Sequence, residues 1–363
     1  LGEDVFLAAG VLIAMPVYRG LYDMVPFLLA VALALCTSWL FVLGYRLVHR
    51  SAVQFRSTTL KMDRALRPAG HAFSILIALQ ALFFAHSAWV QAHTWLGKRG
   101  FAQVAAGQAG TAEANTAIGH YEMALRYGLK APMDHRFELA SLHVRVGDVQ
   151  RSMDLLRGII VEDPGHAEAR YRLGELMNAQ GDRDGAMHQW KENLALGEER
   201  SGTQRRAALV RSAMGLGAAC EAMGDAEGAT TAYAEGLARV PEDAGLLVAA
   251  ATLAHRTGRM NDAIRLFGDA LQHGAPEAQM RHNLAALHMQ QGRADLALPH
   301  VERLVAMRPA DARLRYTLGV LLARMGRSAQ AADQWRTAAR LDPQDPLAQQ
   351  ALAALPSTLN NTR

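Results

Sequence analysis

Fourteen histidines, two cysteines and 34 acidic side chains are the groups in this 363-residue chain that could hold a metal or move a proton. Cys36 and Cys220 exclude a disulfide framework and any all-cysteine metal site. Cys36 falls in an apolar run and Cys220 at a core-facing place, so both are expected to be buried, inert thiols. His86 and His93 lie two helical turns apart, while His49 and His71 flank a basic stretch. Paired imidazoles on facing helices could grip a haem iron. Here His49 would end one apolar helix and His71 begin the next, leaving His86 with no histidine opposite, so interfacial or polar-packed roles fit better. Asp148, Asp182 and Asp225 recur at repeating turns and read as helix N-caps rather than catalytic carboxylates. The sequence contains no G-x-x-x-x-G-K-[ST], no H-E-x-x-H, no C-x-x-C and no glycine-rich dinucleotide fingerprint. The expectation is a non-catalytic module with no metal, no cofactor and no small-molecule substrate.

Those residues sit in two unlike regions. Residues 1–97 hold seven Lys+Arg against four acids, so the net charge of +4 lies mostly there. The remainder is nearly neutral and lacks the basic stripe that nucleic-acid binding needs. Within the first region, Met24–Tyr45 runs 22 residues without a charged side chain, ~33 Å as a helix against ~30 Å of hydrocarbon. Ala72–Gln91 is a second such run, interrupted only by His86, and Trp39, Trp89 and Trp95 suit headgroup depth. Val5–Tyr18 is shorter, contains Pro16, and reads as the end of a truncated helix or a re-entrant piece. It follows Glu3 and Asp4, which argues against a signal peptide. Arg46, Arg50, Arg56, Lys61, Arg64 and Arg67, with Asp63 as the only acid, join the two long runs. Such a loop stays cytoplasmic, which puts everything after about Gly97 on the far side, periplasmic in a Gram-negative bacterium. A basic segment that holds anionic lipid on either side is the alternative. The opening Leu1 and the stunted first run fit a piece of something longer.

The second region is periodic. Gly147, Gly181, Gly224, Gly258, Gly292 and Gly326 are spaced 34, 43, 34, 34 and 34. Five residues after each stands Ser152, Ala186, Ala229, Ala263, Ala297 or Ala331, and nine after each stands Leu156, Trp190, Tyr233, Phe267, Val301 or Trp335. Pro164, Pro241, Pro309 and Pro343 close four of the units. With the pairs Leu173-Gly174, Leu216-Gly217 and Leu318-Gly319, and the variants Leu139-Ala140 and Leu284-Ala285, this array resembles the tetratricopeptide repeat (TPR) family. With the apolar runs read as two to three N-terminal transmembrane helices, the resemblance implies an all-α protein in which a right-handed solenoid of helix–turn–helix units follows them. The expected organisation is a transmembrane region at 1–97 (spans about 24–45 and 72–91, short segment 5–18), a degenerate first repeat at 98–131, six units at 132–345, and a cap helix with polar tail at 346–363. The 43-residue interval holds nine extra residues near 197–206, as longer helices or as a loop.

In peptide-binding members of the family the fifth repeat position faces a concave groove. The resemblance implies that role for Phe137, Tyr171, Met214, Val248, His282 and Tyr316, with Arg145, Arg256 and Arg324 at the thirteenth position. No Lys stands at a fifth position, and the ninth positions are Ser141, Glu175, Ala218, Thr252, Ala286 and Val320. The family's grip on a peptide C-terminal carboxylate by Lys and Asn is thus not expected. An extended or helical hydrophobic segment is the expected guest, the alternative being that several of these residues pack between neighbouring first helices.

The function expected from this reading is a membrane-anchored scaffold that binds a protein or peptide on the extracytoplasmic side. Three alternatives stand beside it. The stretch Gly20-Leu21-Tyr22-Asp23-Met24-Val25-Pro26-Phe27, the basic loop and His86-Ser87-Ala88-Trp89-Val90-Gln91 resemble the membrane part of polyferredoxin-type bacterial iron–sulfur proteins. That likeness carries none of the cluster-binding cysteines, so it implies 4Fe-4S clusters only in a longer protein of which this chain is the C-terminal portion. The others are the TPR factors of c-type cytochrome maturation and the TPR tail of a membrane glycosyltransferase.

Overall fold

The computed structural model describes residues 2–21, 27–128, 132–196 and 202–354. Seventeen helices and one small sheet fill these residues, divided between two compact units, Leu1–Pro164 and Gly165–Arg363.

The first unit opens with α1 (Gly2–Leu21), which contains Pro16, and α2 (Phe27–His49). A 38-residue helix, α3 (Pro68–Ala105), follows, started by a proline whose missing N–H costs nothing at a helix N-terminus. Ala30–His49 and Pro68–Ala105 are long and apolar enough to cross a membrane, whereas Leu7–Tyr18 is shorter. The contacts among these helices use small side chains: Ala14, Ala30, Ala34 and Ser38 are buried, and Gly10 sits directly on Ser38. Large apolar side chains turn outward instead, including Leu12, Leu35, Phe41, Ile75, Leu79 and Leu82. One buried polar knot ties the three helices. Tyr18 Oη and Thr37 Oγ1 lie 2.8 Å apart, and Gln80 Nε2 donates to both at 2.8 Å. Cys36 is exposed rather than buried, because Ala34, Thr37 and Ser38 occupy the packing face of α2 and leave Cys36 outside it. Cys220 is buried as expected.

The basic connection is not an open loop. It folds into an antiparallel meander of β1 (Val53–Phe55), β2 (Thr58–Met62) and β3 (Ala65–Leu66), in the order β1-β2-β3. Two-residue turns at Arg56-Ser57 and Asp63-Arg64 set the register, Phe55 opposite Thr58 and Met62 opposite Ala65. Leu60 is fully buried, and the Phe55 ring packs on Trp39 (5.2 Å) and Phe73 (5.5 Å), which holds the sheet against α2 and α3. Lys61 Nζ donates to the carbonyl of Leu47 at 2.6 Å and closes the C-terminus of α2.

α3 runs without a break through Gln91 and Gly97, and its last turns pair with α4 (Thr111–Tyr127). Tyr121 is fully buried with its ring against Gly97, and Ala117 packs on Gly100. The pair α5 (Met133–Val146) and α6 (Val149–Glu162) completes the unit.

The second unit consists of consecutive pairs: α7 (Ala167–Ala179) with α8 (Arg183–Ala195), α9 (Thr203–Ala222) with α10 (Ala226–Arg239), and α11 (Ala244–Arg256) with α12 (Met260–Gln272). Then come α13 (Glu277–Gln290) with α14 (Ala294–Met307), α15 (Ala312–Arg324) with α16 (Ser328–Leu341), and the short α17 (Pro346–Ala353). The six glycines of the period all adopt positive φ, between +73° and +88°, a turn open to glycine at no steric cost. Asp148, Asp182 and Asp225 accept from the backbone N–H three residues on, as capping predicts. In three of the pairs a first-helix glycine meets the large residue of the second helix. Gly174 abuts Trp190, Gly217 abuts Tyr233 and Gly319 abuts Trp335, each so closely that a Cβ would collide with the ring. Of the extra residues near 197–206, those from Thr203 onward extend α9 to 20 residues against 13 in α7, α11 and α15. Positions 197–201 and the expected tail lie outside the described residues.

Candidate partner-binding surface

A first-helix residue can meet a guest only if its neighbours leave it uncovered. In the first unit, Phe137 on α5 is half-buried, its carbonyl accepting from Ser141 Oγ at 3.0 Å, and Arg145 is exposed. Nearby, Tyr121 Oη donates to Glu138 and Arg136 pairs with Glu162. Burial and the Glu138 carboxylate push the Tyr121 phenol upward, so it stays a neutral donor.

In the second unit the expected stripe is not uniform. Tyr171 is buried, its hydroxyl donating to Glu175 at 2.5 Å and its ring covered by the Arg211 guanidinium at 4.5 Å. Arg211 pairs in turn with Glu168, and Arg172 bridges Glu168 and Glu175 at 3.1 and 3.0 Å. Val248 and Tyr316 are half-buried against the cores beneath α11 and α15. Met214 and His282 remain at the surface. Arg256 reaches Glu221, which also accepts from Tyr233 Oη at 2.6 Å. The first-helix arginines of α7, α9 and α11 that carry such roles are thus neutralised by local carboxylates.

The pattern changes at α15. Its sequence, ARLRYTLGVLLAR, contains three arginines and no acid. Arg315 is held by neutral groups, the Pro309 carbonyl at 2.8 Å and Gln334 at 3.1 Å. Arg324 is exposed and has no carboxylate partner among the described residues. It stands on the wall of a cleft of about 430 Å³ formed by α13, α14 and α15. The floor is apolar (Ala285, Ala286, Met289, Val301, Leu304 and Leu314), with His282, Gln290 and Thr317 as the other polar lining. Of the residues expected from sequence, His282 and Arg324 therefore meet in one cleft. The fifth-position rule missed Met289, Leu304 and Leu314; the acid-free run of α15 was the available signal.

The histidines near the apolar helices are polar-packed. His86 Nε2 lies 3.0 Å from the Tyr127 carbonyl oxygen, and His93 Nδ1 lies 3.0 Å from His120 Nδ1, an opposite partner that the sequence did not reveal.

Sequence comparison now bears on the pairs. The profile of the tetratricopeptide repeat family matches residues 137–192 and 282–346. The helix pairs within the matched residues, α5–α6, α7–α8, α13–α14 and α15–α16, are tetratricopeptide repeats. The intervening pairs α9–α10 and α11–α12, outside the profile match, keep the same glycine turns, and α9–α10 keeps the ring contact of Gly217 with Tyr233. No curated protein matches the sequence. Among solved structures, similarity extends to the C-terminal part of a TPR repeat-containing protein from Cytophaga hutchinsonii (12% identity, 72% of this chain and 99% of that one, TM-score 0.49). It extends also to PilF of Pseudomonas aeruginosa (16%, 61% and 94%, TM-score 0.43) and to a TPR protein from Parabacteroides merdae (15%, 72% and 98%, TM-score 0.40). The TPR is an interaction fold, and a protein-binding scaffold is the functional class to which it points.

Proposed function

We propose that the chain is a membrane-anchored TPR scaffold whose second unit captures a partner segment carrying an apolar side chain beside a carboxylate. The observation that carries this reading is Arg324, a cation without a local carboxylate on the wall of an apolar-floored cleft. Arg172, Arg211 and Arg256 already spend their charge on Glu168, Glu175 and Glu221; Arg324 leaves its charge for a guest. Anchoring is supported by the outward-facing large apolar residues of α2 and α3 and by their small-residue contacts, the packing style of helices in lipid. The basic connection favours a cytoplasmic loop and hence repeats on the extracytoplasmic side.

The test is a titration of short synthetic peptides into the full chain in detergent, each peptide presenting one apolar residue next to a side-chain or terminal carboxylate. Arg324→Glu and the cleft-filling Ala286→Trp should each weaken binding about tenfold or more, as should replacing the carboxylate by its amide. Equal affinities across all three comparisons would remove the cleft from the account.

A further inference from the structure

The meander between α2 and α3 carries more positive charge than its fold consumes. Lys61 is spent: it is buried, with Nζ on the Leu47 carbonyl. Arg56 and Arg64 are different. Both are exposed, and neither guanidinium has a protein partner among the described residues. Both also hold left-handed backbone at the two turns, φ +51° and +65°, where glycine or asparagine would sit more easily. The turns themselves therefore do not call for arginine. Arg67, also exposed, makes only a weak contact to the Met62 sulfur at 3.8 Å. Asp63 is the one acid from Arg46 to Arg67. Depth is set by Phe55, wedged between Trp39 and Phe73 on the two apolar helices, so that Arg56, the next residue, stands beside an aromatic cluster of the kind that occupies the bilayer interface.

We infer that this meander is a docking site for the phosphate headgroups of an anionic leaflet, with Arg56, Arg64 and Arg67 as the contacting residues. The inference rests on the membrane-spanning reading of α2 and α3. Each guanidinium attracts an anionic headgroup by its charge, and a folded sheet presents the three side chains with less ordering cost than an open loop.

The full chain is reconstituted in nanodiscs of phosphatidylcholine alone or mixed with phosphatidylglycerol, and amide hydrogen exchange is followed across residues 53–66. Phosphatidylglycerol should slow exchange in the wild type. The combined Arg56→Gln, Arg64→Gln and Arg67→Gln variant should lose that protection, by about fivefold for each arginine, whereas the three Lys replacements should keep most of it. The inference fails if both lipids protect the wild type equally, if the Gln variant responds as the wild type does, or if the Lys variant loses the effect too, which would indicate a disturbed meander. Millimolar inorganic phosphate reproducing the slowing in phosphatidylcholine discs would overturn the lipid assignment in favour of a free-anion site. Failure to enter either disc would overturn the membrane reading itself.

Discussion

Gly97 lies against the ring of Tyr121, and a Cβ built on it would stand 3.1 Å from three ring atoms. Gly174 meets Trp190 and Gly319 meets Trp335 in the same way, so Leu96-Gly97 and Tyr121 make the contact that a Leu-Gly pair makes with its ring. It is embedded in the same unbroken helix that carries the second apolar run. The Gly97 contact and the apolar segment thus share α3, and bending between them would break helical hydrogen bonds.

Replacing Gly97 with Leu should force Tyr121 out of its seat at a cost of about 1–3 kcal/mol. Hydrogen exchange should rise across residues 111–127 while the second unit keeps its protection. An unchanged first unit would show that the contact is loose.

Trp190 and Trp335 donate their indole N–H to the carbonyls of Tyr171 (3.3 Å) and Tyr316 (3.1 Å). Trp335→Phe keeps most of the volume and loses the bond, for about 0.5–1.5 kcal/mol. Trp335→Ala adds a cavity and should cost about 3–5 kcal/mol. Thermal melts that rank the two variants in the opposite order would contradict this division.

Gln80 joins Tyr18 and Thr37 across three helices. Gln80→Leu should leave that buried pair short of a donor and lower stability in detergent by about 1–2 kcal/mol. A melt at or above the wild-type temperature would mean the knot is dispensable.

Acid should weaken both units. Burial lowers the affinity of His143, His288 and His300 for protons, with His288 and Arg281 adding to the effect at His300 and Arg293 at His288. The folded chain therefore keeps these imidazoles neutral at a pH where the unfolded chain has begun to bind protons, near its ordinary value of 6.5. Their contribution is fully present above that value and is lost as pH falls through the depressed folded values. His288→Leu together with His300→Gln should flatten the acid limb of the stability profile in the second unit; an unaltered limb would place the acid sensitivity elsewhere.

How much of this was legible in the sequence depends on whether a signal repeats. The glycine turns, the aspartate caps and the aromatic seam recur at one spacing, and each recurrence supports the others. Features present once had no such echo. Gln80 looks like any amide in an apolar run until Tyr18 and Thr37 are brought beside it. The strands 53–66 are too short to show a period against a background of arginines. Leu96-Gly97 escaped because a longer turn precedes Tyr121, which shifts the seam out of register. At the candidate site, position alone marked Tyr171 and Arg324 alike. Their different fates come from their neighbours: Arg211 of the next helix pair, paired with Glu168, closes over one, and α15 offers no acid to the other.

The proposed passage of α3 from the bilayer to the α4 contact is tested most directly by labelling. With Cys36 and Cys220 replaced by serine, single cysteines are placed at Leu79, Leu82, Lys98 and Ala102 and exposed, in intact proteoliposomes, to a membrane-impermeant maleimide. The account predicts protection at positions 79 and 82 and ready reaction at 98 and 102 on one side of the membrane. Equal reaction at all four positions would contradict it.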